Sequence, residues 1–216
     1  MIKKILFGSK DKMKSAYLWN TCAAMLNAFQ TVFILMLISR IDPVIDAGVF
    51  TIAFAIGNLM MAIGKYGIRQ FQVSDVEEKY SFKEYTVARI ITSIIMIAAS
   101  FVYVGVNLAS GLYNSSKSIV IILICLAKVI DAVEDVIHGM FQQYLRLDVA
   151  GKILSIRMCT YIFVYLVCYY FSKNLILTSA VALLVSFIQF VILNYTAIRG
   201  FEIKKKTFEI KNVKNI

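Results

Sequence analysis

A single proline, Pro43, a single histidine, His138, and a single tryptophan, Trp19, occur in 216 residues. The sequence holds no GxSxG elbow, no HExxH helix motif and no phosphate-cradling glycine loop. Those absences speak against an enzyme. Cys22, Cys125, Cys159 and Cys168 show no CxxC spacing, so neither a zinc site nor a redox motif is encoded. All four lie inside hydrophobic runs and read as small apolar packing residues. Charged residues make up only 17% of the chain.

What fills the chain instead is apolar: 60% of residues are hydrophobic and the mean hydropathy is +0.75. Soluble domains rarely exceed about half apolar residues. The excess sits in blocks long enough to cross a bilayer, which takes roughly 20 apolar residues for about 30 Å of hydrocarbon. The formal charge of +10 raises the question of nucleic acid. The basic residues, however, are scattered over segments between apolar runs and form no patch or stripe. No nucleic-acid partner is expected.

Six spans can be read along the chain. The first, Ala16 to Ser39, opens on the interfacial aromatics Tyr17 and Trp19 and is broken by Asp42-Pro43. Ala47 to Gly64 is the second. A polar stretch from Lys65 to Arg89 follows. Inside it Ser81-Phe82-Lys83-Glu84 has capping-box spacing, so the third helix should start near Ser81 and reach about Ala109. Gly111, Asn114, Ser115 and Ser116 mark a turn. Ser118 to Gln143 is the fourth span, Ile153 to Ser172 the fifth, Leu175 to Ile198 the sixth. Residues 1–15 read as an amphipathic segment on the cytoplasmic face, 16–198 as a six-span lobe, and 199–216 as a basic cytoplasmic tail. The fold class is an all-α membrane bundle.

The basic residues fix its direction. Counted from the sequence, 19 belong to one side: the N-terminal segment, the 65–89 stretch, Arg146, Lys152 and Arg157, and the tail. Arg40, Lys117 and Lys173 belong to the other, and Lys128 lies within a span. Basic loops stay cytoplasmic, so both termini are expected inside, in a bacterial inner membrane.

Span four is unlike the rest. At 100° per residue, Lys128, Asp131, Glu134, Asp135, His138 and Gln142 share an arc of about 120°. Charge facing lipid costs several kcal/mol, so this stripe must face other helices or a wet cavity. Lys128 and Asp131 are spaced to pair, as are Glu134 and His138. Pairing of this kind would serve a purely structural role, but so many ionisable groups on one face point to a transport pathway. Asn20, Asn27, Gln30 and Thr31 share one face of span one, and Asn58 sits within span two. Together these point to a polar interior shared by several spans.

Two segments resemble a known family. Gly67-Ile68-Arg69-Gln70-Phe71-Gln72-Val73-Ser74-Asp75, with Tyr80-Ser81, Tyr85 and Arg89, is similar to the second cytoplasmic region of O-antigen (Wzx-type) polysaccharide flippases. So is Glu134-Asp135 with Gly139, Gln142-Gln143, Arg146-Leu147-Asp148 and Ala150-Gly151-Lys152. These flippases belong to the multidrug/oligosaccharidyl-lipid/polysaccharide exporter superfamily. The resemblance implies a carrier that moves undecaprenyl-pyrophosphate-linked oligosaccharide between leaflets, for O-antigen, lipopolysaccharide or other polysaccharide biosynthesis. It also implies two six-helix lobes around a hydrophilic cavity. One lobe is visible here, so a truncated product, a lobe on a separate chain, or self-association is expected.

The site residues expected on this reading fall into three groups. Lys128, Arg157, Asn27, Gln30 and Asn58 would line the cavity and meet substrate, although Arg157 could instead snorkel to the cytoplasm. Asp131, Glu134, Asp135 and His138 would bind or relay a coupling ion, H⁺ or Na⁺; no other cofactor and no bound metal is expected. Arg69, Gln72, Asp75, Arg146 and Asp148 would form a cytoplasmic gate, with Arg69–Asp75 and Arg146–Asp148 as its pairs, or serve only topology and loop packing. Two other classes stay open: a cation-coupled multidrug exporter of the same superfamily, and a non-transporting membrane scaffold.

Overall fold

The computed structural model describes residues 2–42, 44–201, 210–213 and 216. Pro43 and the tail lysines Lys204, Lys205, Lys206 and Lys214 lie outside the described residues. Every regular element among those described is helical: α1 (Ile2–Phe7), α2 (Lys12–Ile41), α3 (Asp46–Lys65), α4 (Ile68–Ser74), α5 (Phe82–Ala109), α6 (Ser115–Gln143), α7 (Leu147–Ser172), α8 (Leu175–Ile198) and α9 (Ile210–Val213).

Local chemistry sets the boundaries. Asp11 accepts the backbone N–H of Met13 and Lys14 to cap α2, and Asn114 and Asn174 do the same for α6 and α8. Ser81 and Glu84 form the expected capping box at the start of α5. Between α3 and α4 the chain turns through Tyr66 (φ 37°) and Gly67 (φ 69°). A left-handed pair of this kind ends a helix abruptly, and glycine adopts the second position without a Cβ clash.

Five helical stretches are long and apolar enough to cross a membrane: Lys12–Ile41, Asp46–Ser74, Phe82–Ala109, Leu147–Ser172 and Leu175–Ile198. Large apolar side chains such as Phe33, Ile94, Phe101, Phe163, Leu184 and Ile188 are exposed on them. A hydrocarbon solvent accounts for such surfaces; water does not. The sixth long helix, α6, differs from the sequence expectation. It matches the others in length, but Lys128, Asp131, Glu134 and Asp135 interrupt its apolar run.

The position of α6 follows from that composition. It packs against α3, α4, α5, α7 and α8, while α2 lies mainly along α7. The most charged long helix is therefore the hub. Two apolar clusters flank its charged stretch. One gathers Ile121, Ile124 and Cys125 with Phe50, Met96 and Tyr165; the other gathers Met140 and Phe141 with Val149, Ile153 and Leu193.

The second cluster includes Leu6 of α1, fully buried. Lys152 Nζ donates to the Ile5 and Leu6 carbonyls and to Ser9 Oγ, at 2.9, 3.0 and 2.6 Å. The N-terminal helix is thus held against α7 at the end of the bundle that also carries the α3–α5 connection and the α6–α7 turn.

Close helix approach depends on one glycine above the others. A Cβ on Gly151 would lie 2.8 Å from the Asn20 backbone nitrogen and 2.9 Å from the Trp19 carbonyl carbon. Backbone cannot move aside as a side chain can, so Gly151 lets α7 meet α2, as small residues do between membrane helices. Gly151→Leu should destabilise the detergent-solubilised protein by about 1–3 kcal/mol or more. Gly48→Ala, where nothing lies within 4 Å of the new Cβ, should leave thermal unfolding unchanged.

Candidate functional site

The α6 stripe meets cations from its neighbours at two levels. At the first, Arg157 of α7 is almost fully buried. Its Nε donates to Glu134 Oε2 at 2.9 Å, and one terminal nitrogen reaches Asp131 Oδ1 at 2.6 Å. Lys128 Nζ lies 3.4 Å from Asp131 Oδ2 and 4.3 Å from the centre of the Phe54 ring. Asn194 of α8 donates to Glu134 Oε1 at 2.8 Å. Two cations face two carboxylates, and the level is neutral. Bifurcated contact with two carboxylates suits the planar guanidinium fork better than an ammonium.

His138 joins this level loosely: its Nε2 is 3.8 Å from Glu134 Oε2 and has no hydrogen-bond partner among the described residues. The two pairings expected from helical spacing, Lys128–Asp131 and Glu134–His138, are therefore both present, the second as a long contact.

The second level centres on Asp135. Arg89 of α5 donates to its Oδ2 at 3.0 Å, Arg69 of α4 to its Oδ1 at 3.3 Å, and Lys65 stands 4.0 Å away. Arg89 also donates to the Gly64 carbonyl at 2.5 Å, where Thr92 Oγ1 joins it at 2.8 Å. One arginine thus caps the end of α3 and fixes it to α6. Arg69 continues to Gln142 Oε1 at 3.0 Å. Three cations face one carboxylate. Beside them opens a cleft of about 720 Å³, lined among others by Lys65, Arg69, Gln70, Ser74, Asp135 and Gln142.

Several sequence expectations are corrected by this geometry. Arg69 and Asp75 do not pair. Asp75 accepts the backbone N–H of Lys79 and Tyr80, at 2.7 and 3.0 Å, and the Tyr85 hydroxyl at 2.8 Å. The αL break at Tyr66 and Gly67 instead turns Arg69 toward α6. Arg157 does not snorkel: it sits eleven residues into α7, where two carboxylates hold it inside the bundle. Asn27 and Asn58 do not join Gln30 in a shared interior. Gln30 is buried, but the two asparagines are exposed, because α2 follows α7 rather than closing over α3. Lys128 and Arg157 are enclosed by helices, so the five residues expected around one cavity are dispersed.

The expected Arg146–Asp148 contact is present. Arg146 pairs with the buried Asp148 through two bonds of 2.9 and 3.2 Å. Gln72, fully buried, receives Gln143 Nε2 on its backbone carbonyl at 2.7 Å, tying α4 to α6.

Three residues outside the expected site groups, Arg89, Lys65 and Asn194, also matter here. By topology alone Arg89 and Lys65 belong to the polar 65–89 stretch, and Asn194 to an apolar span. The signals were available: Arg89 lies two turns beyond the Ser81 cap, well inside a helix, and Asn194 is an amide within an otherwise apolar span that needs a partner. By itself the α6 stripe carries one positive and three negative groups. With its neighbours in place the two levels hold five cations and three carboxylates.

Comparison of the chain with protein-family models, with curated proteins and with solved structures gives no match in any of the three.

Removing a buried partner leaves an uncompensated charge, which costs about 3–5 kcal/mol. Arg157→Leu, which takes the guanidinium from the buried Glu134, should lower stability by that order, read from thermal unfolding in detergent. Arg40→Leu, an exposed arginine at the far end of α2, should change it by less than about 1 kcal/mol.

Proposed function

We propose that the chain is one lobe of a membrane carrier that moves a polyprenyl-pyrophosphate-linked oligosaccharide from the inner to the outer leaflet of a bacterial inner membrane. In this reading the bundle crosses the membrane six times, with α6 as its fourth span, and both termini are cytoplasmic. A second lobe, from another chain or a second copy, faces α2 and α3. The observation that carries the reading is a belt of charge around the central helix that opens at one end, at Asp135, into a cationic cleft. Asn27 and Asn58 add support: each is an exposed amide far from the ends of an apolar helix, a position costly against lipid and natural against water or a polar partner.

The belt also supplies a means of switching. A proton or Na⁺ arriving at Asp131 or Glu134 would compete with Arg157 and release α7 from α6. Loss of the Arg69 contacts to Asp135 and Gln142 would release α4 and open the cytoplasmic side. Ion pairs that exchange partners in this way are a common basis for two-state rearrangement.

The scaffold reading rests on a specific observation too, namely that each acid of the belt already has a cationic neighbour. Deletion of the gene in its own cell separates the possibilities. The carrier reading predicts that lipid-linked oligosaccharide accumulates in the inner leaflet, that the wild-type chain clears it, and that the Asp131→Asn/Glu134→Gln variant does not. A multidrug exporter would leave that pool unchanged and raise drug susceptibility. A scaffold would change neither, and substitution of Lys128, Asp131 and Glu134 by apolar residues would alter assembly alone.

A further inference from the structure

We propose that the cleft at the α3–α4 turn is a binding site for the phosphate or pyrophosphate group of an amphiphile, with Lys65 and Arg69 taking the anion and Asp135 occupying its place in the empty site. The physiological occupant, a lipid-linked pyrophosphate, rests on the carrier reading; the anion chemistry does not.

Charge balance is the first argument. The other buried and half-buried basic side chains in this half of the bundle are committed. Arg157 is matched by two carboxylates, Arg146 by Asp148, and Lys152 by two helix-end carbonyls and a serine. Around Asp135 three cations share one carboxylate. Arg89 is buried and fixed, whereas Lys65 and Arg69 keep 41% and 30% of their side-chain surface open. The two cations that line the cleft are therefore the two that can be recruited. Lys65 in particular contacts Asp135 only at 4.0 Å, longer than a charge-assisted hydrogen bond.

Shape and depth agree with this. A volume of about 720 Å³ falls in the range of roughly 300–1,000 Å³ usual for small-molecule sites. Gln70 and Gln142 line the same cleft and carry amide N–H groups that can donate to further phosphate oxygens. Lys65 is the last residue of α3, and Arg69 stands one turn beyond it in α4. The cleft thus lies where an apolar helix gives way to polar chain, the depth at which a lipid carries its phosphate.

An anion at this position would displace Asp135 from Arg69 and Lys65 while leaving it on Arg89. Asp135 is then a competitor for the ligand's place, which gives its replacement an unusual sign. Asp135→Asn should tighten anion binding, whereas a residue that merely shapes the cleft would weaken it when altered.

The test uses the purified full chain in neutral detergent, with isothermal titration and thermal unfolding as readouts and three probes: inorganic pyrophosphate, farnesyl pyrophosphate, and nanodiscs containing phosphatidylglycerol. Inorganic pyrophosphate should bind and raise the unfolding temperature. Lys65→Gln, at a half-exposed position that should leave the fold intact, should weaken binding by roughly tenfold, the effect of one charge-assisted hydrogen bond. Asp135→Asn should strengthen it.

Farnesyl pyrophosphate binding more tightly than the inorganic ion identifies a lipid-linked source, and equal affinity identifies the free anion. Stabilisation by phosphatidylglycerol nanodiscs that is lost in Lys65→Gln identifies a bulk phospholipid headgroup. No binding of any probe, or binding unaffected by Lys65→Gln, would overturn the site. Absence of binding beside an oligosaccharide pool that depends on the gene would remove the site and leave the carrier. Binding without such dependence would remove the carrier and leave the site.

Discussion

A carboxylate in a membrane-embedded bundle must either face water or meet a cation, and α6 carries three within five residues. That constraint orders the rest of the structure. No lipid-facing position would tolerate such a helix, so α6 takes the centre. Each surrounding helix then provides what the acids require: Arg157 from α7, Arg89 from α5, Arg69 from α4, Lys65 from α3 and Asn194 from α8. Apolar packing fills the space above and below. The bundle is built around its charges, with the apolar clusters completing it.

The two levels of charge differ in character, and the difference has consequences for function. Around Arg157 the charges balance and the side chains are buried, which makes a lock between α6 and α7. Around Asp135 cations outnumber acids and two of them reach a cleft, which makes a surface able to receive an anion. Only one helical step separates Glu134 from Asp135. A change of partner at one level therefore lies one residue from the other, along a rigid helix. In the proposed carrier, this adjacency would link substrate binding to helix rearrangement.

The sequence revealed much of this and misjudged a definite part. Apolar runs and caps located the long helices closely; the capping box at Ser81 and the ends of α8 match the expected positions. The arc of α6 was legible from helical period alone, because burial of a charged face is enforced locally by composition. Which cations would meet that face was not legible. Arg89 and Lys65 sit at the edges of polar stretches, where the same residue types serve topology. Only the turn at Tyr66 and Gly67 and the packing of α5 on α6 bring them to Asp135. The expected Arg69–Asp75 pair failed for a related reason: short sequence separation gave proximity, but direction came from the left-handed turn. Asn27 shares a helical face with Gln30, yet its burial depends on a neighbouring helix that does not cover it.

The claim most exposed to test is that Arg157 and Glu134 form one buried unit on which the central placement of α6 depends. A double-mutant cycle of Arg157→Leu and Glu134→Leu, followed by unfolding in detergent, measures it directly. The account predicts that the double variant is more stable than the sum of the single effects implies, by about 2 kcal/mol or more, because removing both charges leaves neither stranded. Effects that add to within about 0.5 kcal/mol would mean that the two side chains act independently, and would contradict it.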